Sequence, residues 1–165
     1  MSDATAEDLA FLRRAIALAA MARARGDRPF GAVVAEGGEV LAEGESRQGA
    51  SGGGPLAHSE MVALERLRQA GIGRERLRRA TIYSSGEPCA MCAAAIFYMG
   101  IGRVVYGLPA EAIAAARNAA AHTAGIGLSC RAVLQAAAAP VTVIGPLLEQ
   151  EAARPHEGYW GPDAA

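Results

Sequence analysis

The segment EPCAMC, residues 87–92, constrains the fold of this chain most, because it holds two of the three cysteines at the start of a predicted helix. Pro88 is favoured at a helix start, and Cys89 and Cys92 then share one face at spacing i, i+3. A helix N-terminus favours thiolate, the form of cysteine that binds metals. The alternative is that cysteine acts here as a small apolar residue in an alanine-rich helix. Two thiolates are too few for a zinc site, so further ligands are needed from elsewhere in the chain.

A histidine suited to complete such a site begins another predicted helix, in AHSEMVAL at residues 57–64. His58 is followed two residues later by Glu60, a carboxylate beside a mainly apolar helical face. If His58 and both cysteines hold Zn²⁺, a fourth position stays open for water, which is typical of catalytic zinc sites. Zinc lowers the pKa of such a water toward neutrality, and Glu60 can take up its proton. The two segments together predict a catalytic zinc centre.

The remaining cysteine and one further histidine are interpreted without a metal. Cys130 is expected to be a buried small apolar residue. As a fourth ligand it would instead close the site and make it structural. His122 lies in an alanine-rich segment and is expected at the surface.

The charge of the chain disfavours a dedicated nucleic-acid-binding protein. Its formal net charge is −1, whereas phosphate contacts usually require a basic excess. The basic stretch GRERLRRA, residues 73–80, is expected to be a solvated face rather than an RNA site. No signal peptide is recognisable and no apolar run is long enough to span a bilayer, so we expect a cytoplasmic protein without a membrane partner.

The order of predicted elements is typical of an α/β layer structure, and the length indicates a single domain over residues 1–165. A helix at Ala4–Arg25 precedes two strands, Phe30–Glu36 and Glu39–Glu45, joined by a two-glycine hairpin turn. Helices and strands then alternate. The further helices are predicted from His58 to near Gly71 and at Cys89–Met99, Ala110–Ala121, Cys130–Ala138 and Leu147–Arg154, and the strands at Ala80–Ser84, Arg103–Gly107 and Val141–Ile144. We expect one mixed sheet with helices on both faces.

HSE followed by PCAMC resembles the H-x-E…P-C-x-x-C motif of zinc-dependent base deaminases. The chain is similar to the cytidine/deoxycytidylate deaminase-like superfamily, and most to its branch of guanine deaminases, yeast-type cytosine deaminases and tRNA adenosine deaminases. The likeness runs from Pro29 through PFGAVV, LAHSEMVAL and ATIYSSGEPCAMCAAAI to IGRVVYG, about the central half of the chain. It implies a cytidine deaminase-like three-layer α/β/α sandwich around a mixed, about five-stranded sheet, commonly assembled as a homodimer.

The resemblance also implies roles for the residues of the two motifs. His58, Cys89 and Cys92 match the zinc ligands of the family. Glu60 matches its proton shuttle, which deprotonates the water, protonates the ring nitrogen and delivers a proton to departing ammonia.

Five further residues match positions that contact substrate in the family. The main-chain N–H of Ser59 and the main-chain carbonyl of Glu87 fall where the family contacts the reacting ring. Phe30 matches an apolar residue that lines the base pocket. The tail RPHEGYW resembles C-terminal ends that close over the pocket, so residues 154–165 are expected to cover the site, with Glu157 and Trp160 as substrate contacts. The alternative for Trp160 is an aromatic residue that only pins the tail to the core.

One departure from the family bears on the substrate. Relatives often place an asparagine that grips the substrate in the loop before the zinc histidine, and the matching point here is Arg47, beside Ser46. No asparagine occurs in this loop, which disfavours tRNA and nucleoside substrates. The C-terminal helix also lacks the strongly basic character typical of tRNA adenosine deaminases.

The function implied by the resemblance is zinc-dependent hydrolytic deamination of a small free nucleobase or related aminoazine, with release of ammonia. Guanine is the first hypothesis for the substrate, followed by cytosine and then by adenosine in tRNA. A protein of another class, a zinc-stabilised binding protein without turnover, would use the same metal ligands.

Overall fold

The computed structural model describes residues 4–118, 125–161 and 164. Within these residues the helices and strands are α1 (Ala6–Arg25), β1 (Gly31–Glu36), β2 (Glu39–Glu45), α2 (Ser59–Gln69), α3 (Arg74–Arg79), β3 (Thr81–Gly86), α4 (Ala90–Met99), β4 (Arg103–Leu108), α5 (Ala110–Asn118), α6 (Cys130–Gln135), β5 (Thr142–Ile144) and α7 (Glu149–Ala153). A 3₁₀ helix at Arg154–His156 follows α7. None of the described helices combines the length and apolar character that crossing a membrane requires.

The strands form one mixed five-stranded sheet in the order β2-β1-β3-β4-β5. The pairs β1–β2 and β1–β3 are antiparallel, whereas β3–β4 and β4–β5 are parallel. The β1–β2 hairpin turns at Gly37 and Gly38, with φ of 58° and 79°, a conformation that glycine adopts without steric cost. The parallel pairs are connected through helices, as expected for crossover connections. The predicted mixed sheet is confirmed.

Helices cover both faces of the sheet. On one face α1 packs against residues such as Val33 and Tyr83, which are direct partners on neighbouring strands. On the other face α2 and α4 pack against Val34 and Ile82, the next pair along the same strands. Because successive strand side chains point to opposite faces, an uninterrupted apolar run supplies both layers. The predicted three-layer sandwich is confirmed.

The basic stretch before β3 is a short helix, α3. Its Leu77 is buried, while Arg76 and Arg79 form ion pairs with Glu36 at N–O distances of 3.1 and 3.0 Å. These two guanidinium groups are therefore paired with a carboxylate of β1, which agrees with the prediction that this stretch is a solvated face. Of the predicted helix at Ala110–Ala121, residues 110–118 form α5, and residues 119–121 and His122 lie outside the described residues.

A buried acidic residue ties α1 to the sheet. Asp8 is 2% exposed, and its carboxylate accepts hydrogen bonds from Arg103 Nη2 at 2.8 Å and from the Tyr83 hydroxyl at 3.0 Å. The same carboxylate accepts the main-chain N–H of Thr5, which closes a capping box at the start of α1. The Arg103 guanidinium holds the pKa of Asp8 below its ordinary value of 3.8, and burial raises the pKa of Tyr83 to about 12.

Replacement of the cation in this network, Arg103→Met, is expected to lower the free energy of unfolding by about 3 kcal/mol, because it leaves the Asp8 carboxylate buried without its ion pair. Since the folded-state pKa of Asp8 is lowered, its contribution is present at neutral pH and is lost as the pH falls below 3.8. Urea unfolding at neutral and acid pH measures both effects. The exposed pair Arg68–Glu65 supplies the control, because Arg68→Met should cost under about 1 kcal/mol. Equal losses in the two variants would contradict the assignment.

Candidate active site with a three-residue metal centre

Two helix starts meet at the proposed metal centre. His58 is the N-cap residue of α2, Cys89 is the N-cap residue of α4, and Cys92 follows in the first turn of α4. Close packing of α2 on β2 requires Gly44, where an added Cβ would lie 2.1 Å from the Ser59 carbonyl oxygen. This close approach seats the start of α2 against the sheet.

The three side chains fit a zinc ion. Nδ1 of His58 lies 3.6 Å from Sγ of Cys89 and 3.5 Å from Sγ of Cys92, and all three ligand atoms lie within 4.8 Å of one another. Around a tetrahedral zinc ion, a nitrogen and a sulfur ligand are separated by about 3.6 Å, given the usual Zn–N and Zn–S bond lengths. Cys130 is buried, as predicted, and is not part of this group. One nitrogen and two sulfur ligands match a catalytic zinc site with an open position.

The pKa values of the three ligands make metal binding dependent on pH. A hydrogen bond from Cys92 lowers the pKa of Cys89 to about 4, and the same bond, together with burial, raises the pKa of Cys92. The hydrogen bond with Cys89 raises the pKa of His58. Because zinc binds the deprotonated forms of cysteine and histidine, zinc affinity is expected to fall as the pH falls.

The carboxylate of Glu60 is held by two serine hydroxyl groups. Ser59 Oγ donates to Glu60 Oε2 at 3.0 Å, and Ser84 Oγ donates to Glu60 Oε1 at 2.9 Å. Glu60 is 5% exposed and lies in the first turn of α2. It is thus fixed beside the metal centre at the wall of a cavity. Ser84 was not predicted as part of the site.

The cavity has a volume of about 480 Å³, within the usual range for small-molecule sites. The lining includes His58 and Cys89 of the metal centre with Glu60, and it also includes residues of α5 and of the loop before α6. The residues that line it include His58, Glu60, Cys89, Phe30, Gln48, Glu87, Arg28, Glu111 and Arg117.

Glu87 was predicted to act through its main-chain carbonyl, and the structure shows a separate use of its side chain. The carboxylate accepts the main-chain N–H groups of Ala110 and Cys130, both at 3.0 Å. These residues begin α5 and α6. The Glu87 side chain therefore links the starts of α5 and α6 to the segment that precedes α4.

The predicted substrate contacts are distributed over two cavities. Phe30 lines the cavity of the metal centre, whereas Glu157 and Trp160 line a neighbouring cavity of about 310 Å³. Phe30 connects the two, because its ring lies 5.1 Å from that of His156 and 6.2 Å from that of Trp160. Ser59 is fully buried, and its predicted main-chain contact with substrate stays a prediction.

The loop that lacks an asparagine still offers an amide to the cavity. Gln48 lines the cavity and is 8% exposed, and its Nε2 donates to the Pro55 carbonyl at 3.0 Å. Ser46 is fully buried and Arg47 is exposed, and neither lines the cavity. The signal in the sequence is that Gln48 is the one carboxamide residue in SRQGASGGGPLA.

Residues 5–108 match the family model of the cytidine and deoxycytidylate deaminase zinc-binding region. The match covers more than half of the chain and includes all three metal ligands and Glu60. The chain belongs to this family of zinc-binding deaminases.

Known members with different substrates resemble the chain. It is 36% identical to a protein of Schizosaccharomyces pombe named probable cytosine deaminase over 155 residues, 93% of each chain. It is 36% identical to guanine deaminase of Bacillus subtilis over 97 residues, 58% of this chain and 61% of the relative. A solved tRNA:A34 deaminase structure, studied for A-to-I editing, superposes with a TM-score of 0.68 at 30% identity, over 89% of this chain and 99% of that one.

Proposed function

We propose that this protein catalyses hydrolytic deamination of a small free nucleobase or related aminoazine. The observation that carries the proposal is the position of the Glu60 carboxylate. It is buried, it is held by two serine hydroxyls, and it lines the same cavity as His58 and Cys89. In the reaction a water oxygen bonds to the amino-bearing ring carbon, the carbon–nitrogen bond breaks, and ammonia leaves.

The residues of the site have different roles in this reaction. His58, Cys89 and Cys92 would hold a zinc ion, which would act as a Lewis acid toward water. Glu60 takes the proton of that water, passes it to the ring nitrogen, and returns a proton to the departing amino group. The hydroxyls of Ser59 and Ser84 keep both carboxylate oxygens in place during these transfers. The ring of Phe30 offers an apolar surface to a flat base.

Guanine is the first candidate substrate and cytosine the second. A cavity of about 480 Å³ suits a molecule of one or two fused rings. The S. pombe relative supports cytosine, because its similarity extends over 93% of both chains. Adenosine in tRNA is disfavoured, because an RNA substrate needs a broad basic surface and two arginines of α3 are engaged in ion pairs.

Ammonia release from a substrate panel tests the proposal. The panel contains guanine, cytosine, adenine, isoguanine, an aminotriazine, the corresponding nucleosides and a tRNA anticodon stem. We expect turnover of at least one free base, with guanine or cytosine leading. Turnover of the tRNA stem alone would overturn the free-base assignment. A zinc-loaded protein that releases ammonia from no compound would instead be the non-catalytic binding protein.

A homodimer and a cytoplasmic location, which the resemblance and the sequence predict, stay predictions, as does closure of the tail over the site. Sedimentation of the zinc-loaded protein measures the first.

A further inference from the structure

Two arginines line the cavity away from the metal ligands. Arg28 precedes β1 and its main-chain N–H donates to the Gln48 carbonyl at 3.2 Å, while Arg117 lies near the end of α5. Both line the cavity that contains His58 and Glu60. Neither belongs to the motifs of the family, and a neutral base gives no reason for two cations in its pocket.

The surroundings of Arg117 disfavour the charged form of its guanidinium group. Burial lowers its pKa, and the positive charge of Arg28 lowers it further. The Nε atom of Arg117 is buried and has no hydrogen-bond partner among the described residues. The guanidinium lies over the Trp160 ring, 4.6 Å from the ring centroid, which supplies a cation–π contact but accepts no conventional hydrogen bond.

Carboxylates of the cavity wall do not form ion pairs with Arg117 among the described residues. Glu60 is bound by two serine hydroxyls, and Glu87 is bound by two main-chain N–H groups. Glu111 lines the cavity but is exposed to solvent. The nearby His156 is buried, and desolvation, together with the charges of Arg117 and Arg23, lowers its pKa to about 4. It is therefore neutral at pH 7 and does not offset the guanidinium charge.

We propose that Arg28 and Arg117 form an anion-binding subsite of the cavity, which holds a carboxylate or phosphate carried by the heterocyclic substrate. The inference rests on the proposed function for the identity of the heterocycle, but not for the binding of the anion. Burial and the positive charge of Arg28 both disfavour the charged form of Arg117, and an anion beside Arg117 offsets both effects while it accepts charge-assisted hydrogen bonds. A bare base would leave the subsite to water. Of two heterocycles that differ in this group alone, the one with the acidic substituent should then bind more tightly.

Trp160 makes binding measurable without turnover. It is the single tryptophan of the chain, and it lies against Arg117. Its fluorescence, excited beyond the absorption of the bases, reports ligand binding in the zinc-loaded Glu60→Gln protein, which holds ligands without converting them. The neutral ligands are cytosine, cytidine, guanine and guanosine. The anionic ones are 5-carboxycytosine, cytidine 5′-monophosphate and guanosine 5′-monophosphate, with inorganic phosphate as a base-free probe.

We expect a carboxylated or phosphorylated ligand to bind at least about tenfold more tightly than its neutral counterpart, with a preference that weakens as salt rises. The carboxylate and phosphate arms distinguish the two sources of the anion. Arg117→Met and Arg28→Met should each remove most of this preference and change neutral-ligand affinity less than about threefold. Arg117→Lys, which keeps the charge, should retain part of it. Arg47→Met, an exposed arginine outside the cavity, is the matched control and should bind all ligands as before.

The two proposals fail separately. Equal affinity for neutral and anionic ligands, or an equal loss for both in Arg117→Met, overturns the anion subsite even if ammonia is released. A preference for anions that Arg117→Met removes, with no ammonia released by the unmodified protein from any ligand, supports the subsite and overturns the deaminase assignment.

Discussion

A Glu60→Gln variant is expected to release ammonia about 10⁴ times more slowly than the unmodified protein, while it keeps its zinc and its fold. Glutamine has the shape of glutamate, and its amide can still hydrogen-bond the hydroxyls of Ser59 and Ser84. It cannot carry a proton from water to the ring and then to the leaving amino group. The effect lies at the upper end for general acid–base catalysis because more than one proton transfer depends on this residue.

Zinc content, thermal unfolding and ammonia release should be measured on the same preparation of this variant. Glu149→Gln is the matched control, since it removes one carboxylate from an exposed position at the start of α7 and should leave all three quantities unchanged. If Glu60→Gln kept activity within tenfold of the unmodified protein, another group would have to move the protons. If it lost zinc, the loss of activity would not report on proton transfer.

The fold was predictable where the pattern is local. The two-glycine turn between β1 and β2, the apolar stripe of α1 and the apolar residues of β3 and β4 each indicate their own structure. The strand Thr81–Gly86 runs two residues further than predicted, and its Gly86 is fully paired with Leu108 on β4. Such ends depend on the neighbouring strand rather than on the segment itself, so a single sequence does not define them.

The metal centre was predictable because its ligands sit at helix starts with fixed local spacing. Cys89 and Cys92 face one way through the geometry of a single turn, and His58 and Glu60 lie two residues apart at the start of α2. Gln48 and Arg117 come from a glycine-rich loop and from the far end of α5, and their approach to the cavity depends on how these elements pack. Ser84 reaches Glu60 of α2 only through the way β3 packs in the folded protein. Residues that reach a site only through tertiary packing leave no spacing in the sequence.

Removal of one zinc ligand, Cys92→Ala, is expected to reduce bound zinc from about one ion per chain to a small fraction and to abolish ammonia release. Cys92 is fully buried in the first turn of α4, and without its sulfur only two protein ligands remain. Because the metal binds the folded chain and joins α2 to α4, its loss should also lower the melting temperature. Zinc analysis, a thermal scan and the ammonia assay measure the three effects.

The third cysteine supplies the control that separates metal loss from loss of packing. Cys130 is also fully buried but is not part of the metal group, so Cys130→Ala should cost about 1 kcal/mol of stability while it keeps the zinc and most of the activity. A chelator should lower the melting temperature of the unmodified protein and of Cys130→Ala, but not that of Cys92→Ala, which has no zinc to lose. Equal zinc contents in the two alanine variants would mean that Cys92 is not a ligand. The first turn of α4 would then be an alanine-rich helix start in which cysteine only fills space.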